Sequence, residues 1–392
     1  MINLSTRLTT PWFCLLIGGP RRDRILVMDR RRFLKTASAA AAAAPNLNAQ
    51  STGGTPPRLG FDTYSIRAMQ WKDIQLLDYA ASLKLDAIQL SSLDDYSSLE
   101  PDHLRQVKEH AAKLGIWIDA GTGCICSLST AFNKKAGSGP EALLKGLKVS
   151  NLVGAKVMRC FMGTRDDRKD PSHLEACMTE TIRTFRAAKS QAQDLGVKIA
   201  IENHAGDMQA REVRTIIEES GKDFVGSCLD SGNPLWVAED PNVTMEILGP
   251  YVLTMHTRDS AVFEVPSGAA AQWVALGDGV VDFGAFMEKK RQMCPNAPLH
   301  LEIITGRPPD VLAYNEPQFW RRFEKTLAQD FVRFVALARR GHPLMAPMVV
   351  EDAGGNRPAE FKAALREQQR LDLERSLEYA KKHLGAGIQW RS

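Results

Sequence analysis

The chain has 392 residues, of which 44% are hydrophobic and 24% are charged, a balance typical of globular proteins that excludes disordered, collagen-like and multi-spanning membrane classes. The net charge of +4 comes from the N-terminus, because residues 1–49 contain eight Lys/Arg and two Asp/Glu, whereas the remainder contains 42 and 44. Since the remainder is almost neutral, it lacks the basic surface that binding to nucleic acid requires.

The N-terminal segment, residues 1–49, is predicted to be an export signal. The sequence RRRFLK begins at Arg30 and is followed by the alanine-rich run Ala37–Ala44. A charged region, a short apolar region and a small residue before a cleavage site together form a secretory signal. The paired arginines resemble the twin-arginine export motif, which implies the twin-arginine export machinery as a partner and a periplasmic or otherwise exported location.

Two further expectations concern this segment. Cleavage is predicted after Ala49, and the apolar run is too short to serve as a stable membrane anchor. Met28 lies just before the motif, so residues 1–27 are interpreted as lying upstream of the true start codon.

From residue 58 the chain alternates short β-rich segments with longer amphipathic ones. Strands are predicted at 58–66, 85–91, 116–121, 156–162, 198–204, 225–230, 252–257 and 299–304. Helices between them are predicted at 71–83, 101–114, 141–153, 172–195 and 211–220. Glycines at or just beyond the ends of four helices provide left-handed C-caps, namely Gly115, Gly154, Gly196 and Gly221.

Eight such units predict an α/β protein of the (β/α)8 TIM barrel type over residues 58–340. A doubly wound parallel sheet is the rival, but no Gly-x-Gly-x-x-Gly motif follows the first strand. Residues 341–392 are predicted to form a C-terminal extension of an irregular loop and a charged helix at 360–384. The seven cysteines form neither a disulfide framework nor a Cys-x-x-Cys zinc pair.

Polar residues at four successive strand ends form a candidate metal site. Functional groups of such barrels lie at the carboxyl ends of the strands. The ends of strands five to eight carry Glu202, Asp230, His256 and Glu302 in that order. Three carboxylates would repel one another without a cation, and three oxygens with one imidazole suit Mn2+ or Mg2+, with Co2+, Zn2+ and Fe2+ as alternatives. Any one of the four alone is more typical of a salt bridge or a buried structural residue.

Five segments resemble the sugar phosphate isomerase/epimerase superfamily of xylose-isomerase-like barrels: IENH, CLDSGN, MHTRD, GDGVVDF and HLEI, beginning at residues 201, 228, 255, 277 and 300. The resemblance covers about residues 58–330. It implies that the four residues bind one divalent metal ion, most often manganese, and that Glu202 and Glu302 also act as the acid/base pair. Asp230 and His256 would then act mainly as ligands.

The implied chemistry is proton transfer next to a carbonyl, with a metal ion stabilising the enediolate. The leading hypothesis is an isomerase or epimerase acting on a non-phosphorylated or oxidised sugar. The alternatives are a dehydratase or β-eliminating lyase of the same superfamily and a non-catalytic periplasmic sugar-binding protein. Members of the superfamily often associate, which implies a homo-oligomer as an option.

Substrate-binding candidates lie near the same strand ends. They are His204, Asn233, Arg258, Asp259, Arg159 and Tyr64. Arg258 is interpreted either as the partner of Asp259 or another neighbouring acidic group, or as a contact to a substrate oxygen or acid group. Trp236 and Trp273 are expected in strand-end loops, where they can stack on a sugar or pack against the protein.

Overall fold

Eight parallel strands close into a barrel in the computed structural model, which describes residues 55–346, 349–352 and 354–392. The barrel strands are β1 (Leu59–Asp62), β2 (Ala87–Leu90), β3 (Trp117–Cys124), β4 (Val157–Phe161), β5 (Lys198–Glu202), β6 (Val225–Asp230), β7 (Val252–Thr257) and, after an insertion, β10 (Leu299–Leu301). Strand β10 pairs with both β7 and β1, which closes the barrel. The predicted TIM barrel is therefore confirmed, whereas the predicted export signal lies outside the described residues.

Helices cover the outside of the barrel, and their bounds follow the predicted pattern closely. They are α1 (Asp73–Ser82), α2 (Pro101–Leu114), α3 (Gly139–Leu152), α4 (Pro171–Ala187), α5 (Lys189–Leu195), α6 (Ala210–Ser220), α7 (Pro241–Leu248), α8 (Phe283–Met293), α9 (Pro317–Trp320), α10 (Ala328–Arg340) and α11 (Ala359–His383). Apolar residues of helices and strands form one continuous core between the two layers. No helix in the described ranges combines the length and apolarity needed to cross a membrane.

The glycine caps are present, but most strand bounds differ from prediction by one to four residues and one predicted helix is divided. Gly115 and Gly196 have φ angles of 68° and 63°, a conformation that is costly for residues with a Cβ atom. The first strand ends at Asp62 because its side chain accepts a hydrogen bond from the Tyr64 N–H and begins a 3-10 helix. The predicted helix 172–195 is divided at Ala188, whose N–H bonds to the carbonyl three residues earlier.

The insertion after β7 forms a small sheet at the carboxyl end of the barrel. Strands β8 (Asp259–Val265) and β9 (Gly268–Val274) form an antiparallel hairpin, and β11 (Asp310–Leu312) pairs with β9. This sheet packs with helix α10 around a second apolar cluster that includes Trp236 and Trp273. It therefore provides one wall beside the ends of the barrel strands.

The predicted C-terminal helix is present as α11 and contacts the first part of the barrel. Gln369 in this helix accepts a hydrogen bond from the Ala68 N–H at 2.9 Å. Beyond the helix, the N–H groups of Ile388 and Gln389 donate to the Asp86 carboxylate. These contacts hold the extension against the segment after β1 and the residue before β2.

Candidate metal centre and substrate cavity

The structure brings the four predicted metal ligands to one buried point. Glu202 and Asp230 end β5 and β6, His256 lies in β7, and Glu302 follows β10 directly. These strands are neighbours in the barrel, and Asp230 is in register with His256. One potential ligand atom from each residue lies within 4.8 Å of the others. Three of the side chains are fully buried and Glu302 is 4% exposed.

The imidazole of His256 faces the three carboxylates with one nitrogen. Its Nδ1 lies 3.1 Å from Glu302 Oε2, 3.4 Å from Glu202 Oε1 and 3.9 Å from Asp230 Oδ2. The other ring nitrogen, Nε2, hydrogen-bonds to the side-chain oxygen of Gln89, which fixes the ring. Nδ1 has no hydrogen-bond partner among the described residues. A lone pair surrounded by anions needs a proton or a metal ion, so this group could bind a divalent metal.

Metal binding should release about one proton per ion at neutral pH. Burial by itself would lower the pKa of His256, but the carboxylates of Glu202 and Glu302 outweigh it and raise this pKa well above its usual value. The metal-free protein therefore holds a proton where the metal would bind, and the metal affinity should decrease as the pH falls. Calorimetry in buffers of different ionisation enthalpy measures this proton. Binding heats that do not depend on the buffer would contradict the assignment of His256 as a ligand.

Two buried arginines pair with the ligand carboxylates. Arg159 Nε donates to Glu202 Oε2 at 2.5 Å. Arg258 Nε donates to Asp230 Oδ2 at 2.6 Å, and its Nη2 pairs with Glu302. Two of the three negative charges are thus balanced by guanidinium groups, and Arg258 lies where a metal ion would contact the same oxygens.

The surroundings shift the pKa values of these carboxyl groups in different directions. Burial opposes ionisation of all three, but Arg258 and His256 outweigh burial at Glu302 and lower its pKa to about 2. Arg159 and His256 do the same at Glu202, whose pKa lies well below its usual value. At Asp230 burial exceeds the effect of Arg258 and raises the pKa to about 6. Glu202 and Glu302 are therefore carboxylates at neutral pH.

A cavity of about 540 Å³ opens above this centre. Glu302 is on its wall, whereas Glu202 lies beneath the surface. Four of the six predicted substrate-binding residues also line the cavity, namely His204, Arg258, Arg159 and Tyr64. The His204 ring stacks on Phe161 with ring centroids 4.1 Å apart, and its Nδ1 hydrogen-bonds to a backbone carbonyl.

The structure does not bring Asn233 and Asp259 to the cavity wall. The Asn233 amide donates to Glu202 Oε1 at 3.2 Å and so positions that carboxylate. The Asp259 carboxylate accepts four backbone N–H groups between residues 260 and 281. It therefore holds the inserted hairpin in place and does not pair with Arg258, whose partners are Asp230 and Glu302.

Aromatic and basic groups complete the wall of the cavity. Trp236 and Trp273 stack on each other with ring centroids 4.3 Å apart. Arg307 lies 5.6 Å from the centroid of Trp273 and donates to the Tyr64 hydroxyl. Arg165 is also on the wall. Sequence reasoning missed both arginines because they lie in loops outside the recognised motifs.

Comparisons with known proteins agree with the barrel fold. The model of the xylose isomerase-like TIM barrel family matches residues 77–323. A 3-oxo-isoapionate decarboxylase from Pectobacterium atrosepticum is 20% identical over 218 residues, covering 55% of this chain and 72% of the relative.

A solved structure shows the same fold. A D-psicose 3-epimerase studied in the presence of D-fructose has a TM-score of 0.54 at 16% identity, with 84% of this chain and all of that chain covered. An L-ribulose 3-epimerase has a TM-score of 0.49 at 14% identity, with 84% and 97% covered. The likeness to the D-psicose 3-epimerase, at this identity, is one of fold alone.

Proposed function

This chain belongs to the xylose isomerase-like TIM barrel family, and from that premise we propose that it is a divalent-metal-dependent sugar isomerase or epimerase. The observation that carries the proposal is the convergence of Glu202, Asp230, His256 and Glu302 below one wall of the cavity. An oxygen-rich set with one imidazole favours Mn2+, with Mg2+, Co2+, Zn2+ and Fe2+ as alternatives. When bound, the metal ion would supply the positive charge that stabilises an enediolate.

In this proposal the two glutamates transfer the proton. Glu302 is the carboxylate on the cavity wall, so it removes the proton next to the substrate carbonyl. Glu202 is the second member of the pair: ionised at rest, it takes up a proton from solvent and gives it to the substrate, while Glu302 releases the abstracted proton to solvent. Asn233 and Arg159 fix the Glu202 carboxylate from two sides, which supports a positioned acid/base group.

The charge of the centre favours a substrate that carries or develops negative charge. Three carboxylates face two arginines, so a divalent ion would leave the centre net positive with His256 neutral. Arg258 Nη1 is buried without a hydrogen-bond partner among the described residues, and Arg258 lies on the cavity wall. This nitrogen can donate to a substrate carboxylate or enediolate oxygen. An oxidised sugar such as a sugar acid therefore fits better than a neutral one.

A lyase is the second candidate. Only one of the two glutamates, Glu302, reaches the cavity wall. Loss of a leaving group from an enediolate requires fewer acid/base groups beside the substrate than epimerisation does. The relative from Pectobacterium atrosepticum is named as a decarboxylase of a 3-oxo acid. Decarboxylation of such an acid also produces an enolate that a metal ion stabilises. β-Elimination and decarboxylation are therefore the reactions to test beside isomerisation.

A non-catalytic sugar-binding protein is the third candidate. Burial of three carboxylates is costly, and a protein that only binds a sugar has no need to retain them.

We further propose that the mature chain begins at Gln50 and acts in the periplasm after twin-arginine export, as the N-terminal motif implies. Association into a homo-oligomer is part of the same proposal.

Metal analysis of the purified protein tests the centre. After reconstitution with manganese, the Glu202→Gln/Glu302→Gln variant should contain about one metal ion per chain less than the wild-type protein. The matched control, Glu264→Gln/Glu288→Gln, changes two exposed glutamates and should retain the wild-type metal content. Equal metal content in all three proteins after reconstitution with manganese would refute the assigned ligand set.

Deuterium exchange between solvent and candidate substrates then separates the functions. A sugar acid that gains solvent deuterium at the carbon next to the carbonyl supports isomerisation or epimerisation. Formation of an unsaturated product or of carbon dioxide would assign a lyase instead. Binding without exchange or product would favour the sugar-binding protein.

A further inference from the structure

A second group of potential metal ligands lies behind the wall of the cavity. Asp167 belongs to the loop between β4 and α4, and its carboxylate is buried. His173 and Cys177 are four residues apart near the start of α4, so their side chains lie on one face of this helix. One potential ligand atom from each of the three residues lies within 4.8 Å of the others.

The His173 ring nitrogen Nε2 faces two possible partners at once. His173 Nε2 lies 3.1 Å from Asp167 Oδ1 and 3.5 Å from Cys177 Sγ. One ring nitrogen carries at most one proton, so it cannot donate to both neighbours fully. Ligand atoms around a tetrahedral zinc ion are separated by roughly 3.3–3.8 Å, given bonds of about 2.0–2.3 Å. The His173–Cys177 distance falls in this range, and the His173–Asp167 distance would lengthen slightly around the ion.

The surroundings orient the three side chains and leave a path for an ion. Asp167 Oδ2 accepts hydrogen bonds from Ser129 Oγ at 2.7 Å and from the Thr164 N–H at 2.9 Å. These hydrogen bonds direct Oδ1 toward His173. The outer hydrogen-bond partners of metal ligands usually orient the ligands in this way. The His173 side chain is 36% exposed, so an ion can enter from solvent.

We propose that Asp167 Oδ1, His173 Nε2 and Cys177 Sγ bind a zinc ion that fixes the loop after β4. A thiolate and an imidazole favour zinc over the harder ions that suit the main centre. The Cys177 thiol loses its proton to solvent when the ion binds. The Cys126 thiol donates to the backbone carbonyl of Cys177 at 3.6 Å, so a second sulfur lies near the site.

The bound zinc would stabilise one wall of the substrate cavity. Thr164 and Arg165 lie on that wall and belong to the same loop as Asp167. The Thr164 N–H bonds directly to the Asp167 carboxylate. The site is thus structural, and it stands whether or not the main centre is catalytic.

Cobalt substitution distinguishes this site from the main centre. Addition of Co2+ to the reduced, metal-free protein should produce a near-ultraviolet charge-transfer band, because Co2+ bound by a thiolate absorbs there and the main centre has no thiolate ligand. The band should be lost in Cys177→Ser and in His173→Ala. It should remain in Glu202→Gln/Glu302→Gln and in the control Cys294→Ser, which changes a buried cysteine at the end of α8.

Zinc analysis provides a second measurement. The fully loaded protein should bind about two ions per chain and His173→Ala about one. Since His173 is partly exposed, this variant should fold even if Cys177→Ser does not. No charge-transfer band, a band that survives His173→Ala, or a Cys126–Cys177 disulfide in the mature protein would each overturn the proposal.

Discussion

Replacing Glu302 by glutamine is expected to lower turnover by about 10²- to 10⁴-fold, the usual contribution of a positioned general base. Glu302 is the ligand carboxylate on the cavity wall. Its pKa of about 2, lowered by Arg258 and His256 against the effect of burial, keeps it ionised throughout the neutral range. Glutamine has nearly the same shape but cannot accept a proton. Substrate binding should therefore remain while proton exchange is lost.

Glu302 is also a candidate ligand, so metal content must be measured on the same samples. A variant that retains its metal but loses solvent exchange assigns the base role to Glu302. Loss of both the metal ion and solvent exchange would show that Glu302 is at least a metal ligand. The matched control is Glu264→Gln, which changes an exposed residue of the inserted hairpin. Wild-type turnover in Glu302→Gln would contradict the proposed site.

The barrel was predictable because the β-rich segments, the amphipathic segments and the glycine caps all indicate the same structure. Strands β6 and β7 have the predicted bounds 225–230 and 252–257. The first strand was predicted too long because Thr63 and Ile66 have high strand propensity. The strand ends at Asp62 because the Tyr64 N–H donates a hydrogen bond to the Asp62 side chain. Strand propensities carry no information about such a bond.

The ligand positions were predictable for a geometric reason. Parallel strands end at the same edge of the barrel, so polar residues at four neighbouring ends must meet. The partners of those ligands were not predictable. Gln89 of β2 reaches His256 across the barrel, and a pairing over 167 positions leaves no local signal in one sequence.

Arg258 illustrates the same limit. Sequence proximity suggested Asp259 as one partner, but consecutive residues of an extended chain, such as Arg258 between β7 and β8, point to opposite sides. Asp259 therefore points toward backbone N–H groups of the insertion, and Arg258 points into the barrel. The two interpretations of Arg258 are compatible. Its Nε and Nη2 pair with Asp230 and Glu302, whereas its Nη1 has no hydrogen-bond partner among the described residues and can contact a substrate.

Replacing Arg258 by methionine is expected to destabilise the metal-free protein by about 3–5 kcal/mol, the usual effect of removing one partner of a buried ion pair. Asp230 and Glu302 would lose their contacts with this guanidinium group, and mutual repulsion of the carboxylates would increase. A divalent ion supplies the missing charge. The melting temperature of Arg258→Met should therefore rise more on metal addition than that of the wild type.

Metal affinity should move in the opposite direction to stability. Arg258 contacts the same oxygens as the proposed metal ion, so its removal eliminates a competing cation and should tighten metal binding by about tenfold or more. Arg307→Met is the matched control, because Arg307 lies on the cavity wall but pairs with Asp352 and Tyr64. That variant should bind metal as the wild type does. Preparation with metal, followed by removal with a chelator, keeps Arg258→Met folded at the start of the titration. Weaker metal binding by Arg258→Met than by Arg307→Met would mean that Arg258 supports the metal ion and does not compete with it.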